Sequence, residues 1–258
     1  MSNVCFIGCS WVRGYNISDN ETLPYLYSEK HPNLNVINAG QNAKSIFYYK
    51  HILKEILNYK TIDKVFIGLT TFDRDYVGID GFIDAKKHNK VNFEELTKNY
   101  EIVWDMMENN FDLTPGLAWT SNAQTKPDFY EITKDEEAYL HKQFRFVQEH
   151  NYKLKYNDFT SFLRFWGEYI SNSTLQKEKY NFEILLLDNY CKQNNIEVSF
   201  YRWLDTIEVE DWVLNSDAHI YNQTVESYVN DKNLYIDNGY HFNKIGNKKV
   251  VEFLDETN

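Results

Sequence analysis

Ser10 and His241 are the two residues of this 258-residue chain whose types suggest a reaction. The stretch FIGCSWVRGY, residues 6–15, starts as an apolar run and then delivers a small hydroxyl at its tip, just ahead of a turn and a glycine. One use of such a serine is to cap a helix, its side-chain oxygen accepting a backbone N–H. The other use is covalent, because a serine hydroxyl becomes a nucleophile once a nearby base takes its proton. Histidine is the side chain whose ordinary proton affinity suits that exchange near neutral pH. His241 stands just before the closing segment of the chain, where the bland alternative is a surface loop histidine. Choosing between these uses requires the elements that position the two residues.

Residues 3–8, NVCFIG, form a continuous apolar run of the kind buried on both faces of a parallel sheet. A short helix is predicted over 23–31, a second strand over 33–40 ending in Gly40, and a third strand over 63–71. Between the last two, residues 45–59 place Ile46, Tyr49, Leu53, Ile56 and Leu57 on one helical face. Strands alternating with helices across short links imply right-handed crossovers and a parallel sheet. Active sites of such sheets lie outside the carboxyl ends of the strands, and Ser10, Gly40 and Thr70–Asp73 all fall there.

Residues 75 to about 155 depart from this pattern and are polar and aromatic. They read as loop around Pro115, Gly116 and Pro127, with helices predicted near 93–108 and 134–149. An amphipathic helix over 158–170 carries Phe159, Phe162, Leu163, Trp166 and Ile170 on one stripe, with Asp158 as its N-cap. A longer helix over 174–194 and a strand over 196–203 then resume the alternation. The expectation is one domain, 1–258, interrupted by an insertion at about 75–155. A final helix follows Asn243 as N-cap and turns Gly246, Val250, Phe253 and Leu254 inward, leaving His241 in the loop before it.

Apolar residues make up 43% of the chain and aromatics 17%, enough to build a core. A formal charge of −11 argues against nucleic acid or an anionic bilayer as partner. Cys5, Cys9 and Cys191 cannot all pair within one chain, and buried free thiols in a reducing compartment are the simplest reading. With no signal-peptide pattern and no long apolar span, a cytoplasmic location is expected.

FIGCSWVRGY resembles the first sequence block of the SGNH (GDSL-type) hydrolases, in which a strand runs into Gly-Asp-Ser. VINAGQNAKS (36–45) resembles the second block, VFIGLTTFDR (65–74) falls where the third belongs, and DNGYHFNKIGNKKVVEFL (237–254) looks like the last. The four occur in family order and span nearly the whole chain, with the insertion outside them. The resemblance implies a three-layer α/β sandwich around a central parallel sheet, of SGNH-hydrolase or flavodoxin-like type, with a largely helical insertion. It implies serine-dependent ester hydrolysis through an acyl-enzyme. Ser10 would be nucleophile, His241 base, and Asp237 the group that orients the imidazole, with Asn238 as the fallback at the family's own position. Backbone N–H groups of Ser10 and Gly40 would hold the oxyanion. No metal or organic cofactor is implied, and the substrate class is a small-molecule or carbohydrate ester.

Two departures bear on activity. Cys9 replaces the Asp of the first block, and Phe72 replaces the oxyanion asparagine of the third. Loss of one such donor typically costs about 10²–10³ in rate, and Thr71 or Asn42 are the candidate replacements. A catalytically inactive scaffold that binds a glycan or a protein partner is therefore the alternative. An unrelated doubly wound sheet, with Ser10 and His241 far apart, is a third. Gly40 reads equally as a turn glycine. Arg13 and Arg74 flank strand ends and suit either an anionic substrate group or plain solvation. The remaining histidines (His31, His51, His88, His141, His150 and His219) lack metal-ligand spacing.

Overall fold

The computed structural model describes residues 1–41, 46–70, 91–105, 173–236 and 241–256. Six strands form one sheet: β1 (Ser2–Gly8), β2 (Leu34–Gly40), β3 (Lys64–Leu69), β4 (Val91–Thr97), β5 (Tyr100–Asp105) and β6 (Glu197–Arg202), in spatial order β4-β5-β2-β1-β3-β6. Every neighbouring pair is parallel except β4 with β5, which is antiparallel. Among the described residues the α-helices are α1 (Ser10–Arg13), α2 (Leu23–Lys30), α3 (Ile46–Leu57), α4 (Ser173–Gln193), α5 (Asp211–Leu214), α6 (Val225–Val229) and α7 (Lys244–Glu256). A two-stranded ribbon, β7 (Tyr235–Ile236) with β8 (His241–Phe242), precedes α7.

The three layers follow from strand alternation. Phe6 of β1 meets Tyr27 of α2 and Phe66 of β3, so this face lies under α2, which packs on α7. Cys5 points the other way, toward Cys191 of α4, and α4 packs on α3. Buried on both sides, β1 and β3 are apolar without interruption, as a central parallel strand requires. Each fully buried Phe or Ile here is worth about 1.5–3 kcal/mol relative to exposure. The predicted inward residues of α3 and α7 are buried, except Leu57, which is half-buried.

The predicted helix near 93–108 is instead a β-hairpin, β4 and β5. Tyr100 and Ile102 are fully buried where β5 pairs with β2. An edge position against a parallel strand thus overrode a helix-like spacing. The hairpin also makes the sheet mixed, with an antiparallel edge strand added to the expected parallel one. The predicted helices over 134–149 and 158–170 lie outside the described residues.

At the carboxyl edge, Gly8 and Gly40 sit side by side in the β1–β2 register. α1 packs directly on them: a Cβ on Gly40 would lie 2.4 Å from the Arg13 amide nitrogen and 2.7 Å from the Val12 carbonyl carbon. Both obstacles are backbone and cannot swing aside. α1 ends at Gly14, whose φ of 88° is a left-handed conformation that favours glycine.

All three cysteines are buried and free. Burial raises the pKa of the Cys5 thiol and pushes that of Cys191 up to about 12. Iodoacetamide at mildly alkaline pH is expected to leave Cys5 and Cys191 unmodified in native protein and to alkylate both after denaturation. Mass spectrometry checks this, and native modification of either would contradict the packing. Gly40→Ala is expected to lower stability by about 1–3 kcal/mol or more through overpacking, read from the denaturant midpoint. A midpoint equal to that of the parent would rule out the close α1–β2 approach.

Candidate active site

Ser10 is the first residue of α1, and the N-cap position belongs to Cys9, which makes no side-chain capping bond. The Ser10 hydroxyl instead lies 2.9 Å from His241 Nε2, across 231 residues of sequence. The other ring nitrogen of His241, Nδ1, is buried. His241 is not in a loop as expected: it opens β8, with Ile236 of β7 as its register partner. Phe242 next to it is buried against the core, and Asn243 caps α7 by accepting from the amides of Ile245 and Gly246. A Cβ on Gly246 would approach the Leu234 carbonyl oxygen to 2.7 Å, so this glycine lets α7 close on the segment leading into β7. Ribbon, cap and helix together place one imidazole at the tip of β1.

Gly40 ends β2 beside Gly8, but its amide does not face open space. It donates to Asn38 Oδ1 at 3.0 Å. The Asn38 Nδ2 group donates to the Tyr100 hydroxyl at 3.1 Å, and that hydroxyl shares a 3.1 Å hydrogen bond with Thr22 Oγ1. All three side chains are buried. Burial raises the Tyr100 pKa, partly offset by the hydrogen bonds from Thr22 and Asn38. The amide expected to serve an oxyanion is thus committed to a side chain two residues upstream. As an oxyanion donor it would have to exchange that acceptor. The Ser10 amide differs, since the leading N–H groups of a helix have no partner within the helix.

Arg13 is also engaged. Its guanidinium pairs with Asp19 at 3.2 Å and stacks 4.1 Å above the Trp104 ring, whose own Nε1 donates to Glu94. That contact ties α1 to the edge hairpin and accounts for the low exposure of Arg13 without an anionic ligand. Asp237 and Asn238, the two orienting candidates, lie outside the described residues, as do Asn42, Thr71, Phe72, Asp73 and Arg74. Among the described residues no group of three or more His, Cys, Asp or Glu side chains is arranged to hold a metal ion. His31 bonds Asp255, and His219 Nδ1 lies 2.9 Å from Ser199 Oγ. No described helix is long and apolar enough to cross a membrane.

Sequence reasoning missed three neighbours. Asn38 sets the direction of the Gly40 amide. Trp11 and Tyr15 place their ring centroids 5.3 Å and 5.1 Å from the His241 ring. α1 ends at Arg13 and Gly14 turns left-handed between them, so their convergence on His241 is set by the turn and not by helical spacing.

No known family profile matches the chain, and no curated protein matches it in sequence. Solved structures do match. One is the psychrotrophic esterase EstA from a Pseudoalteromonas species, inhibited by monoethylphosphonate: 10% identity, TM-score 0.52, covering 100% of this chain and 96% of the other. Another is a "putative lipolytic protein of G-D-S-L family" from Desulfitobacterium hafniense DCB-2: 12% identity, TM-score 0.35, and 100% of both chains. Together with the mixed, mostly parallel sheet flanked by helices on both faces, the match to EstA shows that this chain shares the α/β fold of that structure.

Proposed function

We propose that the chain hydrolyses esters through a serine-bound acyl intermediate at Ser10. The observation that carries this proposal is the 2.9 Å contact between Ser10 Oγ and His241 Nε2 at the carboxyl edge of the sheet. At that distance the imidazole can accept the hydroxyl proton as Oγ bonds to an ester carbonyl carbon. The carbonyl π electrons move onto oxygen, and the Ser10 amide at the start of α1 is the proposed donor to the developing charge. Collapse expels the alkoxide, which leaves as alcohol with the proton from Nε2. Water then attacks the acyl-serine with the same imidazole as base; the Oγ–acyl bond breaks, Oγ takes the proton from Nε2, and the acid departs. Asp237 is the proposed orienting group for the imidazole, and a small-molecule or carbohydrate ester is the proposed substrate class.

One specific observation favours a second reading, an inactive scaffold that binds a glycan or a protein partner. The Gly40 amide is held by Asn38 Oδ1, so one of the two expected oxyanion donors is occupied. Loss of a donor costs about 10²–10³ in rate, which a slow enzyme survives and a binding protein never notices.

A fluorophosphonate probe separates the two. It is expected to label the parent protein at Ser10 and not to label Ser10→Ala. His241→Ala is expected to lower p-nitrophenyl acetate turnover by about 10²–10⁴-fold, the usual contribution of positioned acid–base groups. A parent protein that is neither labelled nor active under native conditions would overturn the esterase proposal and leave the scaffold.

A further inference from the structure

We propose that Trp11 and Tyr15 act as an aromatic clamp that positions the His241 imidazole against Ser10, an inference resting on the esterase proposal above. The His241 ring is tilted 39° to both aromatic planes, with centroids 5.3 Å from Trp11 and 5.1 Å from Tyr15. These distances fall within the range of direct ring–ring contact. Both rings come from the segment that carries the nucleophile. Ser10 and Trp11 are consecutive, and Tyr15 follows one residue after the α1 C-cap, where its amide bonds the Ser10 carbonyl at 3.1 Å. A shift of that segment therefore moves nucleophile and clamp together, and the Ser10–His241 separation is preserved.

Trp11 is itself anchored. It stacks on Trp203 with centroids 5.0 Å apart and 29° between planes, and it meets Phe242 edge-on at 5.3 Å. Trp203 lies just past β6, and a Cβ on Gly68 would reach its Nε1 at 2.6 Å, so a glycine in β3 makes room for it. The base is thus referenced to the sheet through Trp11 and Trp203 as well as through its own ribbon. Tyr15 closes the outer side and is 45% exposed, so its ring contributes to His241 placement far more than to the core. Both rings meet the imidazole through ring–ring contact. Their role is to restrict the imidazole to the orientation in which Nε2 faces Oγ.

Displacement of a reacting group by about 1 Å can cost about 10²-fold in rate. Accordingly, Trp11→Leu is expected to slow fluorophosphonate labelling of Ser10, and kcat on p-nitrophenyl acetate, by about 10–100-fold with KM within about twofold. Trp11→Phe, which keeps a ring, is expected to recover to within about threefold of the parent. Because Trp11→Leu also opens the core, Tyr15→Leu is the second variant. It should slow labelling by about 3–10-fold with an unchanged thermal midpoint. Labelling by both leucine variants within about twofold of the parent would overturn the clamp. If the parent itself is not labelled, the esterase proposal fails first. The clamp is then read from the His241 ring-proton NMR shifts. Loss of an aromatic ring current in Tyr15→Leu supports it, and unmoved shifts overturn it.

Discussion

The absence of two side chains at the end of adjacent strands is the constraint on which the site depends. Gly8 and Gly40 face α1 at a distance that no Cβ would allow, with Val12 and the Arg13 backbone as the obstacles. Because a four-residue helix is too short to hold its place by internal hydrogen bonds alone, it must be seated by what it touches. Val12 is fully buried beneath it, Gly14 ends it in a left-handed turn, and Arg13 pins it to the edge hairpin through Trp104 and Asp19. Ser10 and Trp11 inherit their positions from that seat.

The partner group arrives from the other end of the chain by a separate chain of supports. The β7–β8 ribbon is only two residues per strand, which is marginal in isolation. It is stabilised by burial of Phe242, by the Asn243 cap and by close packing at Gly246. Asn247 then donates to the Glu21 carbonyl oxygen at 2.9 Å, stitching α7 to the segment that follows α1. The two halves of the site are thus joined both at the Ser10–His241 contact and behind it.

Asn38 shows how a buried polar residue can redirect a backbone group. The sequence VINAG reads as a strand ending in glycine, and the glycine is where that pattern puts it. Nothing in the pattern indicates that the asparagine side chain would take up the glycine amide, because that depends on Tyr100, 62 residues further on, holding the amide group in place. The same hairpin that supplies Tyr100 was hidden for a related reason. Val91–Thr97 and Tyr100–Asp105 carry spacing that also fits a helix, and only the unpaired edge of β2 makes the extended form the better one.

The amino-acid sequence by itself determined the alternation of strands and helices, the inward faces of α3 and α7, and the strand-end positions of Ser10 and Gly40. It did so because hydrophobic periodicity and glycine placement are local properties, written in residues a few positions apart. It also singled out His241, through residue type and its place before the closing helix. Tertiary structure decided the 2.9 Å approach of Nε2 to Oγ, the commitment of the Gly40 amide to Asn38, the engagement of Arg13 by Trp104, and the aromatic walls around the imidazole. Those relations join segments separated by tens to hundreds of residues (the Gly40–Asn38 bond through the hold of Tyr100 on Asn38), and their distances are set by how helices and strands pack, which no local pattern encodes.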